Sequence, residues 1–321
     1  MVGRDNVENT AMGEALSPSQ ISGRVDAVWG NPMAWEAAGW QWERLPAIRR
    51  MVNRHVTGDE AIDPLSWFFQ RVAKDQTLPV RRALVLACGA GGLERQLISQ
   101  GWVSEVVAVD LSPGALAAAR DAARQAGISG IDYRQADMNA LDVEGPFDLA
   151  VGSSALHHCE NLEGIFAVVR RVLVPGGWFF LNDYIGPNRL QYDAAQVLEV
   201  NRLLQCLPDP LVMNAAGFSR RGFRPASLAE VIAFDPSEAP RSADILRVMG
   251  EALEVETVRP YGGNLLYLVL SNLAQNFDPA QSGDAAAPDY LRLLIEASDH
   301  WRATRHGQDH FAAAIARQPI S

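Results

Sequence analysis

Ala83-Leu-Val-Leu-Ala-Cys-Gly-Ala-Gly-Gly-Leu-Glu-Arg95 decides the fold. An apolar run is followed by a tight small-residue loop and then by a helix start. Val106-Val-Ala-Val-Asp110 comes next, a second apolar run that ends in a carboxylate. A strand, a Gly-rich turn and an acid 19 residues beyond Gly91 make a nucleoside-binding βαβ unit. The glycines let backbone approach a ligand closely, and the acid can accept hydrogen bonds from both ribose hydroxyls.

Around this unit the composition sets limits. The chain has 321 residues, 48% of them hydrophobic, enough for a real core. A net charge of −10 argues against a nucleic-acid partner, because phosphate binding needs a basic field. Cys88, Cys159 and Cys206 form no C-x-x-C pair, so neither a disulfide framework nor a structural zinc site is expected. The polar stretch Met1 to Gln20 has no secretory apolar segment, and no apolar run approaches the ~18 residues of a membrane span. The expectation is a soluble cytoplasmic protein whose oligomeric state is open, a homodimer included.

Strands and helices alternate from residue 82 to 183. Strands are expected at Arg82–Ala87, Val103–Asp110, Ile131–Gln135, Phe147–Val151 and Trp178–Asn182, which implies a parallel sheet with helices on both faces. Upstream, residues 1–20 look loose. Val25 to Trp67 carries Trp29, Trp35, Trp40, Trp42 and Trp67, and Leu45, Ile48, Met51 and Val52 recur at helical spacing, so Trp35–His55 is expected to be helical. The tryptophans either pack this segment onto the main domain or form an aromatic lid. Downstream, 187–240 reads as helices and loops, and Ser242–Ala252 as a helix. Val255–Tyr261 and Leu265–Ser271, around Gly262-Gly263, read as a hairpin that completes the sheet. Asp289–Ala316 reads as terminal helix. The expected organisation is a helical lid segment (1–78), a nucleoside-binding core (79–186), a helical cap (187–240), a final helix and hairpin (241–273) and a helical extension (274–321).

By this point the residues resemble the class I S-adenosylmethionine-dependent methyltransferases. The resemblance covers Arg82–Asp183. Leu84-Val85-Leu86-Ala87-Cys88-Gly89-Ala90-Gly91 follows the family's first-strand pattern, with Val85 where an acid is usual and Ala87 where the first glycine is usual. Asp110 resembles the ribose-binding acid and Asp137 the acid that meets the adenine amino group. Ser153–His158 follows the fourth strand, and Val174-Pro-Gly-Gly177 precedes the fifth. The outer segments resemble a narrower bacterial group near glycan and secondary-metabolite pathways. The resemblance implies a Rossmann-like α/β fold with a seven-stranded, mostly parallel sheet and one antiparallel strand. It also implies S-adenosyl-L-methionine as cofactor, contacted by Ala87, Cys88, Gly89, Gly91, Asp110, Leu111, Asp137, Met138 and Ser153.

Methyl transfer to a hydroxyl needs positioning, exclusion of water and removal of a proton. His157 and His158 are the sharpest candidates for the base, because histidine titrates near neutral pH. His158 is favoured as base, and His157 as a loop or cofactor contact. Asp183 and Tyr184, at the end of the fifth strand, are expected either to share that role or to bond the cap. Contiguous His157-His158-Cys159-Glu160 does not match a metal site, and none is expected. Arg189, Arg220, Arg221 and Arg224 either hold an anionic group or form a solvated face. The expected acceptor is a small molecule or saccharide. A nicotinamide-dependent oxidoreductase and a non-methylating cyclase or interaction protein are the alternatives.

Overall fold

The structure, a computed structural model, describes residues 17–31, 41–278, 280–305 and 309–320. Of the start expected to be loose, residues 1–16 lie outside the described residues, as do Trp35 and Trp40, while residues 18–20 open a helix instead. Helix α1 (Pro18–Trp29) opens with a capping box between Ser17 and Gln20. Of the helix expected at Trp35–His55, residues 35–40 are outside the described residues, 41–45 are not α-helical, and helix α2 (Pro46–Thr57) forms the remainder. Pro46 stands at its first position, and Leu45 before it is extended. Trp42–Arg44 form a 3-10 turn ahead of it. The anticipated stripe is real: Ile48, Met51, Val52 and Val56 are buried. Helix α3 (Pro64–Val72) is capped by Asp63, whose side chain accepts from the Leu65 and Ser66 amides.

The alternating segment follows as β1 (Val80–Leu86), α4 (Gly92–Ser99), β2 (Val103–Asp110), α5 (Pro113–Gln125), β3 (Ile131–Gln135), β4 (Phe147–Ser153), α6 (Leu162–Val172) and β5 (Leu173–Tyr184). Beyond it lie α7 (Ala194–Cys206), α8 (Leu228–Phe234), α9 (Ile245–Ala252), β6 (Glu254–Gly262), α10 (Leu266–Leu270), α11 (Ala287–Arg305) and β7 (Phe311–Arg317). The seven strands form one sheet in the order β3-β2-β1-β4-β5-β7-β6. Strands β1 to β5 pair in parallel, and β7 runs antiparallel to both β5 and β6.

The expected seven-stranded, mostly parallel sheet is therefore present, but its antiparallel member is not the one anticipated. Leu265–Ser271 is no strand: α10 occupies most of it, with Leu266, Leu268, Val269 and Leu270 buried. An apolar run without alternation fits a helix enclosed on all sides as well as it fits a strand. The true partner, Phe-Ala-Ala-Ala-Ile-Ala-Arg at 311–317, lies in the stretch read as a helical extension. Alanine's helix preference is overridden there by burial between two strands.

Side chains alternate across the sheet, so each strand feeds two cores. Ala83, Val85, Trp178, Phe180, Ala313 and Ile315 pack on one face against α2, α3 and α7. Leu84, Leu86, Phe179, Leu181 and Ala314 pack on the other against α6 and α9. The chain leaves β1 towards β2 and β3, then crosses back to β4. The carboxyl ends of β1 and β4 thus flank the crevice where open α/β sheets take their ligands. Among the described residues no helix is long and apolar enough to cross a membrane.

Candidate active site

At that crevice lies a cavity of about 970 Å³. Of the residues anticipated from sequence, Ala87, Gly89, Asp110, Leu111, Asp137, Met138, His157, His158 and Tyr184 line it. Cys88, Gly91, Ser153 and Asp183 do not.

The loop after β1 is left-handed three times, at Ala87 (φ 45°), Gly89 (φ 53°) and Gly91 (φ 77°). Gly89 and Gly91 need their lack of a Cβ for different reasons. A Cβ on Gly89 would meet no atom within 4 Å, so this backbone fronts open cavity. A Cβ on Gly91 would come within 2.7 Å of Glu94 Oε1 and the Tyr133 hydroxyl, so this glycine seats the loop on the elements behind it. Burial pushes the Glu94 carboxyl up to about 7. Asp110 Oδ2 accepts from the Gly89 amide at 2.8 Å and Oδ1 from the Ser112 amide at 2.8 Å. Each oxygen keeps a lone pair, so the carboxylate can still take two ribose hydroxyls. Asp137 Oδ1 accepts from Asn139, at 2.8 Å from its backbone and 3.0 Å from its side chain. An open-fronted backbone loop and a carboxylate with spare acceptors fit a nucleoside cofactor.

The histidines follow β4 in a short turn whose shape depends on Asp183. That wholly buried carboxylate accepts from the amides of Ala155 (3.0 Å), Leu156 (2.7 Å) and Tyr184 (2.8 Å), and lies 2.6 Å from His157 Nδ1. A carboxylate only accepts, so Nδ1 carries the proton and Nε2 keeps a free lone pair. Burial disfavours the charged ring, yet Asp183 outweighs it and holds the His157 pKa above the usual histidine value. His158 is pushed the other way, by burial and by His157 beside it. Its Nδ1 lies 3.1 Å from Ser237 Oγ, whose proton goes to Asp235 at 2.6 Å. Of the two rings it is His157, and not the His158 favoured from sequence, that has an oriented carboxylate behind it. Glu238 lies beside the pair. One ligand atom from each of His157, His158 and Glu238 falls within 4.8 Å of the others, so these residues also offer a divalent cation three ligands.

The outer segments line the cavity, and the tryptophans divide between the core and its wall. Trp42 is 2% exposed and packs against Phe311. Trp29 lines the site, donating from Nε1 to Asp235 at 2.8 Å, with its ring edge-on to His158. Asp26, also on α1, accepts from Ser112 Oγ at 2.5 Å and from the Gly114 amide at 3.0 Å, clamping α1 to the start of α5. The four cap arginines are engaged within the protein. Arg189 donates to the Pro236 and Glu238 carbonyls, and Arg220 to those of Leu268 and Val269. Arg221 pairs with Asp209, and Arg224 with Glu230. Missing from the sequence reading are Glu43, Tyr261, Tyr267 and Phe311, which also line the cavity. Only the strand assignment of 311–317 would have brought Phe311 to it.

The family described as Methyltransferase domain matches residues 84–181, from β1 to β5. The chain carries a class I S-adenosylmethionine-dependent methyltransferase domain. A ubiquinone biosynthesis O-methyltransferase of Leptothrix cholodnii is 29% identical to the chain over 120 residues, 37% of this chain and 49% of the relative. A ubiquinone/menaquinone biosynthesis C-methyltransferase of Acidiphilium cryptum is 34% identical over 134 residues, 41% of this chain and 52% of the relative. The chain spans about half the length of these curated relatives. Among solved structures, a phosphoethanolamine N-methyltransferase 2 from Haemonchus contortus shares the methyltransferase fold. Its TM-score is 0.52 at 15% identity, over 95% of this chain and 61% of that one.

Proposed function

We propose that the protein transfers a methyl group from S-adenosylmethionine to a hydroxyl of a small, ring-bearing acceptor, with His157 as general base. The observation that carries this reading is His157 on the wall of the cavity that also contains the glycine loop and Asp110, with buried Asp183 2.6 Å behind it. Bound at that loop, S-adenosylmethionine supplies a methyl group on a positively charged sulfur. Gly89 and Ala87 offer backbone to it, Asp110 the ribose contacts, and Asp137 and Met138 the adenine end. His157 Nε2 takes the hydroxyl proton as the acceptor oxygen gains the methyl group. Asp183 stabilises the resulting imidazolium and fixes the ring's tautomer. Trp29 and the cap exclude water. The relatives named as O-methyltransferases support a small hydroxyl acceptor, and the aromatic wall favours a ring-bearing one over a saccharide.

The test is S-adenosylhomocysteine release with a panel of phenols and alicyclic alcohols, with and without EDTA. We expect turnover that survives the chelator and falls roughly 10²-fold or more in His157→Gln with cofactor affinity kept. Methylation only of nitrogen or carbon would contradict the reading. So would a requirement for added divalent cation, which would make His157, His158 and Glu238 a metal site.

A further inference from the structure

Past Tyr184 the cavity is walled by aromatic rings from four elements. Tyr184 lies 5.4 Å from Phe311 and 6.3 Å from Tyr267, centroid to centroid, and Tyr261 stacks on Phe311 at 5.8 Å. On the other side Tyr184 is 6.2 Å from His157, so the rings lead away from the candidate base one ring-width at a time. Into the same cavity projects Glu43, from the 3-10 turn before α2. Tyr261 and Tyr267 lie within reach of its charge: burial, chiefly, and then Glu43 among the nearby acids push both phenols up. Burial pushes the Glu43 carboxyl up to about 7, so it is partly protonated at neutral pH, and no described residue forms an ion pair with it. Arg49, a cation at the cavity wall, is exposed and unpaired with it. A second carboxylate, Glu238, adds to the field at Tyr184 and Tyr267. A carboxyl so placed among aromatic faces matches a cation, which would draw it into its charged form: ring faces attract positive charge, and the carboxylate can take the N–H groups. A neutral apolar guest would leave the carboxyl protonated and give it nothing to pair with.

We propose that this compartment is an ammonium subsite: the acceptor is a hydroxylated amine whose hydroxyl faces His157 and whose charged nitrogen sits at Glu43 against Tyr261, Tyr267 and Phe311. This rests on the hydroxyl-methylation reading above and adds the acceptor's chemical class to it.

Binding to the S-adenosylhomocysteine-loaded protein, followed by calorimetry, tests the subsite without requiring turnover. The probes are tyramine, its neutral counterpart para-propylphenol and its anionic counterpart para-hydroxyphenylpropionate. Tyramine should bind roughly 10-fold or more tighter than para-propylphenol, with the anion weakest. Glu43→Gln, near-isosteric, should abolish that advantage and leave para-propylphenol unchanged. Equal binding of all three probes would overturn the proposal, as would an unchanged preference in Glu43→Gln. Weaker S-adenosylhomocysteine binding in the variant would overturn it too, assigning Glu43 to the cofactor's own ammonium. If the binding order holds but no probe is methylated on oxygen, the hydroxyl reading fails and the cation subsite stands.

Discussion

Asp183 accepts from three backbone amides and one imidazole, so a single side chain shapes the turn after β4 and orients the His157 ring. Its charge raises the His157 pKa, and the reactive form is the neutral ring, so the rate should climb as pH rises through a value above 6.5. In Asp183→Asn the raising charge is gone. The acidic limb of the pH–rate profile should move to lower pH, while kcat falls roughly 10²-fold or more as the tautomer is lost; an unmoved limb would separate Asp183 from the chemistry. Ala87 is the other informative residue. At φ 45° an L side chain is strained, and glycine is not. Ala87→Gly should therefore raise stability by about 0.5–1 kcal/mol after its unfolded-state entropy is counted, as read from urea denaturation. The departures at Val85 and Ala87 were visible in the sequence. Val85 is a buried core residue, 1% exposed, and is not among the residues lining the cavity. Which histidine meets Asp183 was not visible. Adjacent residues look equivalent in a string, and the choice follows from the pairing of Ser153 with Asn182 across β4 and β5.

At the scale of elements, β1 to β5 and the helices between them were legible because each strand is an apolar run bounded by a turn signal, and each connecting helix is amphipathic. The last strand was not. Its alanines carry a helical preference, and the Gly262-Gly263 pair imitates a hairpin turn. In the structure Gly263 instead lets the chain pass close to Phe311, whose ring lies 2.3 Å from where a Cβ would be. Strand β7 fills the gap between β5 and β6, and Arg317 at its end sits over Trp178 and pairs with Asp75. A chain truncated after residue 305 should therefore lose the pairing of β6 to the sheet and show no cooperative thermal transition. Cooperative melting near the full-length midpoint would contradict the central place given to β7. Helix α1 was legible as a tryptophan-bearing segment but not as part of the site wall, because that depends on Asp26 and Trp29 reaching Ser112 and Asp235 far along the chain.

For the whole molecule, the sheet presents its switch point to one cavity, and two segments outside the matched domain complete the walls. The N-terminal segment contributes Trp29 and Glu43, and the cap contributes Ser237 and Glu238. The glycine loop, Asp110 and Asp137 come from the alternating segment and could be read from sequence, whereas the rest of the cavity wall is drawn from distant pieces that no local pattern announces. The account depends most on the glycine loop being a cofactor cradle, and calorimetric titration of S-adenosylhomocysteine tests this directly. We predict one-to-one binding at micromolar concentrations by the wild type, lost in Gly89→Val with a native circular-dichroism spectrum, because the new side chain points into open cavity. No binding by the wild type, or wild-type affinity in Gly89→Val, would contradict the account.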